Sequence, residues 1–294
     1  MDGLIVADKP EGLTSHDVVN RLRRLANTRK VGHLGTLDPM ATGVLPLLVG
    51  HATRLAQFFS SGEKTYDARL QFGWSTDTYD REGERTSEPV DPRFTRAELE
   101  AALAQFRGSF LQTPPPFSAK KIAGTPAYRL ARKGTPVDLP PVSVEVFELE
   151  LLEFEGATAR IRVKCSAGTY VRGIAHDTGR ALGCGAFLTA LRRTASGEFE
   201  AGEAITLEAL ADLAGRGNLE SALIPSARLL PQFPNAPVDA ITAGQIRQGK
   251  DFRLSPFVER AGSKYVKAVS PEGQLIAIGE ARLPQLYHPI LVLG

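Results

Sequence analysis

Cysteine is scarce in this sequence of 294 residues, which contains only Cys165 and Cys184. Neither belongs to a Cys-x-x-Cys pair or has a histidine at metal-ligand spacing, so a zinc site is not expected. Long apolar runs are also missing, and the first residues lack the charged and apolar regions of a signal peptide. We therefore expect a cytoplasmic protein that does not bind a membrane.

Common signatures of nucleotide and hydrolase chemistry are missing as well. The sequence has no Gly-x-x-x-x-Gly-Lys-Ser/Thr segment, and "SSGEKT" at residues 60–65 lacks the adjacent glycine and lysine that place a cation on a phosphate. Gly-x-Ser-x-Gly and His-Glu-x-x-His are absent too, and His33 and Asp38 have no third metal ligand nearby in the sequence. These absences argue against nucleotide hydrolysis and zinc chemistry.

Charge is segregated along the chain, although the formal net charge is only +2. Residues 18–37, 112–137 and 160–193 are rich in arginine and lysine and contain a single acid, Asp177. Such basic segments, with aromatic residues between the charges, are typical of proteins that bind a phosphate backbone. Solvated faces of unrelated elements are the alternative interpretation. The pattern predicts a nucleic-acid partner.

Strand and helix patterns alternate irregularly, which favours an α+β fold over a doubly wound one. Acids three residues after Thr14 and Thr95 predict capped helices at both places. Strands are predicted at residues 4–7, 66–72, 142–154 and 159–165, and helices after Thr14, at 51–59, at 95–108 and before Gly183. Residues 1–230 are predicted to form the main body, with 113–141 as an excursion. Residues 231–237 would link this body to a small β-rich domain at 238–294.

Asp38 is the single acid in "VGHLGTLDPMATGVLPLLVG", residues 31–50. A carboxylate among glycines and aliphatic residues is costly unless it is paired or used. One interpretation is an Asp-Pro turn; the other is a catalytic acid in a loop whose glycines let a ligand approach closely. The second needs a neighbouring cation, and Arg172 in "GTYVRG" is the best candidate.

Six segments between residues 8 and 199 resemble the successive motifs of the TruB-type tRNA pseudouridine synthases, in that family's order. They are "DKPEGLTSHDVV" (8–19), "VGHLGTLDPMATGVLPLLVG" (31–50), "KTYDARLQFGWSTDTYDREG" (64–83), "PPFSAKKIAGTPAYRLARKG" (115–134), "CSAGTYVRGIAHDTG" (165–179) and "LTALRRTASGEF" (188–199). The resemblance implies a pseudouridine synthase fold with a mixed, mainly antiparallel sheet. It also implies a PUA-like RNA-binding domain at the C-terminal end.

By this resemblance the substrate is the uridine at position 55 in the T-arm loop of tRNA, which is isomerised to pseudouridine without a cofactor or metal. Asp38 matches the catalytic aspartate, Arg172 the arginine that pairs with it, and Tyr66 the active-site tyrosine. His33 matches a histidine linked to base extrusion, and Leu191 an apolar residue that lines the base pocket. No obligate protein partner is implied.

The excursion at 113–141 matches an insertion that folds over the T-arm, so further RNA contacts are expected there. The additional substrate contacts that we predict are Tyr170, Lys9, Lys120, Lys121, Arg129 and Arg132. Phe117 departs from the family, which often has tyrosine at this place. Pairing with Arg172 predicts a lowered pKa for Asp38. The sequence leaves open whether Asp38 attacks C1′, attacks C6 or removes the C2′ proton.

Two other functions stay open on the sequence. A non-catalytic tRNA-binding or folding protein would use the basic segments and need Asp38 only for a turn. An RNA base glycosidase would break the same bond and release uracil, although such enzymes normally use two carboxylates and residues 31–50 supply one. Tyr66 likewise has two interpretations, since it could stack on the base or help to remove the C5 proton.

Overall fold

A computed structural model of the chain describes residues 1–59, 62–122, 124–254 and 263–293 and contains two large β-sheets. The strands are β1 (Gly3–Lys9), β2 (Val31–His33), β3 (Thr42–Val49), β4 (Lys64–Phe72), β5 (Gly108–Gln112), β6 (Lys121–Ile122), β7 (Thr125–Pro126), β8 (Val142–Glu155), β9 (Thr158–Cys165), β10 (Ala186–Ser196), β11 (Phe199–Glu200), β12 (Ile205–Thr206), β13 (Ile224–Pro225), β14 (Asn235–Pro237), β15 (Phe252–Arg253), β16 (Tyr265–Val269), β17 (Leu275–Leu283) and β18 (Leu286–Val292). The α-helices are α1 (Ser15–Leu25), α2 (Arg96–Ala104), α3 (Ala127–Ala131), α4 (Val171–Ala181), α5 (Leu207–Gly215) and α6 (Ala240–Arg247). Residues 51–59, predicted as helical, lie largely in a 3₁₀ helix, Gly50–Phe58.

The larger sheet has eleven strands, eight of them in the order β12-β1-β3-β10-β4-β9-β8-β5. Neighbours are antiparallel except for β1 with β12 and β3 with β10. Three further strands pair with members of this row: β2 pairs with β3, β11 with β10 and β13 with β1. The α+β class and the mixed, mainly antiparallel sheet are therefore confirmed. In the part of the chain that the structure describes, no helix has the length and apolar character needed to cross a membrane.

The helix caps follow the sequence pattern. The Thr14 hydroxyl accepts a hydrogen bond from the Asp17 amide, while the Asp17 carboxylate accepts one from the Thr14 amide, so α1 begins at Ser15. Thr95 caps α2 in the same way. The predicted helix at 95–108 is too long, because α2 ends at Ala104 and Gly108 begins edge strand β5.

The smaller sheet has the order β14-β16-β17-β18-β15 and packs against the larger one. One apolar core contains Leu4 and Leu48 from the larger sheet together with Ile278 and Leu291 from the smaller. The predicted linker at 231–237 is partly wrong, because residues 235–237 form β14 and pair with β16. The division into two domains stays a prediction, since the two sheets share this core.

Candidate active site

A pocket of about 380 Å³ lies where β2, β4, β10 and the start of α4 meet. Its lining includes six of the predicted site residues: His33, Asp38, Tyr66, Tyr170, Arg172 and Leu191. Ser118 and Ala119, from the predicted insertion, lie on its wall as well. Other predicted contacts, Lys9, Lys120, Arg129 and Arg132, are outside the lining, and the side chain of Lys121 is outside what the structure describes.

The loop at residues 34–41, between β2 and β3, presents Asp38 and is held by buried side chains. The Ser15 hydroxyl accepts from the Leu37 amide at 2.8 Å and lies 3.1 Å from the Leu37 carbonyl oxygen. Gly35 has φ +100°, a conformation that an L-residue rarely adopts. Because backbone groups of this loop are satisfied by the core, Asp38 is presented from a fixed backbone.

Lys9 is one of these anchors, which corrects its predicted role as a substrate contact. Its side chain is 0% exposed, and its Nζ donates to the carbonyl oxygens of Pro10, Pro39 and Ala41 at 2.9, 3.2 and 2.6 Å. Burial lowers the pKa of Lys9 to about 8. Lys9 therefore lies beneath the Asp38 loop and positions it, with no surface left to contact RNA.

Arg193, which the sequence analysis did not select, holds the same loop from β10. The residue is 0% exposed, and its guanidinium donates to the carbonyl oxygens of Val44, Gly35 and Thr36 at 2.7, 3.1 and 3.5 Å. A Cβ on Gly43 would lie 2.2 Å from the Arg193 carbonyl oxygen, so glycine is required at this crossing of β3 and β10. Arg193 lies opposite Tyr66 and two residues after Leu191, so strand alternation places it on the same face of the sheet as these two pocket residues.

Asp38 and Arg172 form the predicted ion pair. Arg172 is 3% exposed, its Nε lies 2.9 Å from Asp38 Oδ2, and its Nη2 donates to Asp38 Oδ1 at 3.2 Å. Nη2 also donates to the Phe117 carbonyl oxygen at 3.0 Å. The contact with the insertion thus uses the backbone of Phe117, so it does not depend on the hydroxyl that tyrosine would add.

A second acid, Asp80, shares Arg172 from the opposite side. Arg172 Nη1 donates to the Thr78 carbonyl oxygen at 2.7 Å and to Asp80 Oδ2 at 3.3 Å. Asp80 Oδ1 accepts from the Thr78 hydroxyl at 2.7 Å and from the Glu82 amide at 3.0 Å. The Asp80 side chain is 4% exposed, whereas that of Asp38 is 33% exposed. Asp80 is therefore the interior counter-ion, and Asp38 is the acid that faces the pocket.

The predicted lowering of the Asp38 pKa is wrong in direction. Burial raises the pKa of Asp38, and the neighbouring Asp80 carboxylate raises it further, against the opposing charges of Arg172 and Lys9. Arg172 could be expected from the sequence as a partner of Asp38, but the approach of a second acid could not. Two carboxylates share the Arg172 guanidinium. Arg172 therefore holds Asp38 in place, while the pKa of Asp38 stays above that of a free aspartate.

Tyr66 and Leu191 form the apolar wall beside Asp38. Both are 7% exposed, and Leu191 on β10 pairs with Ala68 on β4, two residues from Tyr66. Opposite residues of an antiparallel pair share a face, so the Tyr66 ring and the Leu191 side chain lie on the same side of the sheet. Burial raises the pKa of Tyr66, so its phenol is neutral near pH 7.

His33 lies at the end of β2 and lines the pocket. Burial lowers the pKa of His33, and the Arg193 charge lowers it further, so its imidazole is neutral near pH 7. Lys64, a pocket residue that the sequence analysis missed, donates from Nζ to the Gly62 carbonyl oxygen at 2.9 Å. A neutral ring and a cation thus border the space next to Asp38.

Tyr170 joins the pocket to the insertion at the start of α4. Its amide donates to Gln112 Oε1 at 2.8 Å, and its carbonyl oxygen accepts from Gln112 Nε2 at 2.9 Å. Gln112 is 2% exposed and ends β5, where the insertion begins. These two hydrogen bonds fix the backbone of Tyr170. They thereby help to position Arg172, which follows Tyr170 by two residues.

The basic residues of the insertion are displayed on its surface. Lys120, Arg129 and Arg132 are exposed, and the guanidinium carbons of Arg129 and Arg132 lie 6.0 and 5.5 Å from the centre of the Tyr128 ring. Their position beside the pocket wall suits contact with an RNA backbone. That contact stays a prediction.

The basic face of β9 differs from the sequence expectation of a phosphate-binding surface. Arg162 lies 3.0 Å from Asp67, Arg160 lies 2.8 Å from Glu153, and Lys164 lies 3.0 Å from Glu63. These cations already have acidic partners on neighbouring elements. Among the described residues, no group of three or more His, Cys, Asp or Glu could hold a metal ion.

Comparison with known proteins connects this geometry to a family. The model of the N-terminal domain of the TruB family of pseudouridylate synthases matches residues 23–171, and that of the C-terminal domain of tRNA pseudouridylate synthase B matches residues 172–231. The tRNA pseudouridine synthase B of Solibacter usitatus is 60% identical over 293 residues and covers 100% of both chains. That of Opitutus terrae is 47% identical over 79% of this chain and 96% of its own.

Solved structures agree with the fold. A chain of an H/ACA RNP bound to a substrate RNA containing 2′-deoxyuridine has a TM-score of 0.71 and 26% identity, covering 99% of this chain and 85% of that one. A chain of a Cbf5-Nop10-Gar1 complex has a TM-score of 0.69 and 28% identity, covering 96% of this chain and 79% of that one. With a pseudouridine synthase fold, an aspartate–arginine pair in the pocket and both domain models matched, the chain belongs to the TruB family of pseudouridylate synthases.

Proposed function

We propose that the protein isomerises uridine to pseudouridine at position 55 in the T-arm loop of tRNA. The observation that carries this proposal is the Asp38 carboxylate, held by Arg172 at 2.9 Å and one-third exposed in a pocket of about 380 Å³. The reaction breaks the N1–C1′ bond, turns the base and joins C5 to C1′, with the C5 proton leaving to solvent and N1 taking up a proton. It needs a positioned carboxylate and a site that keeps the detached base in place.

The pocket has groups for both tasks. Asp38 would act on the nucleotide, and the fixed loop beneath it would hold the carboxylate at one position through the reaction. Tyr66 and Leu191 would keep the detached uracil between apolar surfaces, which separates an isomerase from a glycosidase. Because its phenol is neutral, Tyr66 is suited to stacking rather than to removal of the C5 proton.

A base inside a folded loop must leave its stack before it can reach Asp38. Unpaired loop nucleotides can be splayed out and stacked on aromatic side chains, which makes a tRNA loop a suitable substrate. His33, neutral and at the pocket wall, would occupy space that the extruded base leaves. The exposed insertion residues Arg129 and Arg132 would hold the phosphate backbone nearby.

A single assay tests this function against its alternatives. T-arm RNA that carries 5-tritiated uridine is incubated with the full chain, and tritium in water and free uracil are both measured. Tritium release without free uracil is expected. Free uracil would indicate a glycosidase, and neither signal in the presence of tight binding would indicate a tRNA-binding or folding protein. Moving the labelled uridine to another loop position tests the site, and release should then stop.

The C-terminal sheet is proposed to act as a PUA-like RNA-binding unit, and the protein to work in the cytoplasm without an obligate protein partner. The similar Solibacter usitatus and Opitutus terrae proteins are both named for activity on tRNA. Immunoblotting of fractionated cells would test the location, and the protein is expected in the soluble cytoplasmic fraction.

A further inference from the structure

Tyr79 has an unusual backbone conformation behind the active site. Its φ is +64°, in the left-handed region that costs free energy for any residue with a Cβ. The residue stands between Thr78 and Asp80, whose carbonyl oxygen and carboxylate both accept from Arg172 Nη1. The left-handed turn brings these two acceptors to the same guanidinium nitrogen. Arg172 is therefore oriented by a strained part of the chain.

The Tyr79 ring lies flat against His176. Their centroids are 3.8 Å apart and their planes differ by 15°. His176 is on α4, four residues and about one helical turn after Arg172. The stack thus ties the loop that orients Arg172 to the helix that carries it. Burial lowers the pKa of His176, so a neutral ring takes part in the stack.

The backbone of the loop is tied to the sheet at the same point. The Tyr79 carbonyl oxygen accepts from the Leu188 amide at 3.0 Å, and the Arg81 amide donates to the Leu188 carbonyl oxygen at 2.9 Å. These bonds fix the backbone on either side of Asp80, directly after Tyr79. Within the loop, the Tyr79 amide donates to the Thr76 carbonyl oxygen at 3.3 Å and the Thr76 hydroxyl donates to the Asp80 carbonyl oxygen at 2.7 Å. The stack with His176 adds a side-chain contact that helps to offset the left-handed conformation.

We propose that the Tyr79–His176 stack is a positioning device for the reaction, which keeps Thr78 and Asp80 in register with Arg172 and thereby aligns Arg172 with Asp38. The inference rests on the proposed function, since it concerns the same carboxylate. Neither ring lines the pocket, so both residues would act through Arg172 rather than on the substrate.

The test compares His176→Ala, which removes the stack, with His176→Phe, which keeps a flat ring. Single-turnover tritium release at saturating tRNA should fall about tenfold for His176→Ala and stay within about twofold of wild type for His176→Phe, as an aromatic pair's contribution implies. The dissociation constant for tRNA should be unchanged in both. A His51→Ala variant, which changes a half-exposed histidine outside the pocket lining, is the matched control and should keep the wild-type rate.

Two further readouts separate positioning from general stability. In His176→Ala the acid limb of the pH–rate profile should move to higher pH, because a displaced Arg172 lowers the pKa of Asp38 less. Tyr79→Gly, which relieves the left-handed conformation, should react faster than Tyr79→Ala, although both lack the ring. Equal rates for His176→Phe and His176→Ala, or an unmoved acid limb, would overturn the inference. Wild-type tritium release, measured alongside, tests the proposed function separately.

Discussion

At the residue scale, the site depends on one arginine shared by two acids of unequal exposure. Arg172 and Asp80 are nearly inaccessible, at 3% and 4% exposed, while Asp38 is 33% exposed towards the pocket. Removing either acid would leave a buried guanidinium with fewer charge partners. We therefore assign the chemical step to Asp38, and we assign the orientation of Arg172 to Asp80.

The raised pKa of Asp38 leads to a prediction for the pH dependence. Asp38 works as a carboxylate, so activity should fall as pH decreases through its pKa, and the acid limb should lie above pH 3.8, the ordinary value. Arg172 lowers this pKa, so Arg172→Gln should move the limb to higher pH and also reduce the maximal rate. The pH profile of single-turnover tritium release measures both effects.

Arg180→Gln is the control for that prediction, because Arg180 lies on the same helix with its side chain 78% exposed. Its profile should coincide with that of the wild type. An acid limb at the same pH for Arg172→Gln would show that Arg172 does not set the ionisation of Asp38.

Lys9 gives a prediction about stability. Lys9→Met removes a donor from three carbonyl oxygens, and an unsatisfied buried acceptor costs about 1–3 kcal/mol. Part of this loss is offset, because burial of the ammonium also costs free energy. We expect the free energy of unfolding to fall by roughly 2 kcal/mol in urea denaturation, with a reduced reaction rate and little change in tRNA affinity.

Lys133→Met makes the same chemical change at an exposed position of the insertion. It should leave the free energy of unfolding within about 0.5 kcal/mol of wild type. A Lys9→Met variant with unchanged stability and rate would mean that the Asp38 loop does not need this anchor.

Sequence reasoning reached some of these residues and not others, for physical reasons. Asp38 stood out as a lone acid in an apolar segment, and Arg172 as the cation that it would need. Asp80 lies in a hydrophilic loop, where an acid is unremarkable until the fold brings Arg172 to it. Arg193 lies two residues after Leu191 on β10 and opposite Tyr66, so it shares their face of the sheet. An arginine on a buried face becomes intelligible only when the fold brings three backbone carbonyl oxygens to its guanidinium.

At the element scale, irregular strands were the hardest to predict. β10 lies in the centre of the larger sheet, yet register shifts between Leu188 and Ala190 and between Arg193 and Ala195 interrupt its alternation. β4, which alternates without interruption through most of its length, was predicted within two residues of its observed start. Bulges add a residue to one strand and so erase the period on which such predictions rely.

The insertion provides a prediction at this scale. Arg129 and Arg132 are exposed beside the pocket wall, so replacing both with alanine should weaken tRNA binding. The dependence of log affinity on log salt should become shallower by roughly 1.5, because each neutralised phosphate contributes about 0.7–0.9. The single-turnover rate at saturating tRNA should be unchanged. Filter binding over a salt series measures the slope.

Arg160 and Arg162 offer a matched pair on β9, since both already contact Asp67. Replacing these two with alanine removes the same charge but should leave the salt slope nearly unchanged. Equal slopes for the two double variants would contradict the assignment of the insertion as the RNA-binding surface.

At the scale of the whole molecule, the two sheets share a core. Leu4 and Leu48 pack with Ile278 and Leu291, and Lys267 Nζ donates to the carbonyl oxygens of Ala227 and Leu229 at 2.9 and 2.8 Å. Deleting the residues after Pro237 would expose this core. Truncation therefore cannot isolate an RNA-binding role of the smaller sheet from a loss of stability.

Cooperative unfolding is the corresponding prediction. Because one core contains residues from both sheets, calorimetry should show a single transition whose calorimetric and van't Hoff enthalpies agree. The truncated chain should unfold at a lower temperature. Two separate transitions in the full chain, or an unchanged unfolding temperature after truncation, would mean that the sheets are independent domains.

The most direct measurement of the central claim is tritium release by Asp38→Asn, which removes the charge of the carboxylate and keeps its shape. The account predicts a fall in the single-turnover rate of at least about a thousandfold, while the dissociation constant for T-arm RNA stays within about threefold of wild type. Release near the wild-type rate, or a loss of binding as large as the loss of rate, would contradict a catalytic role for Asp38.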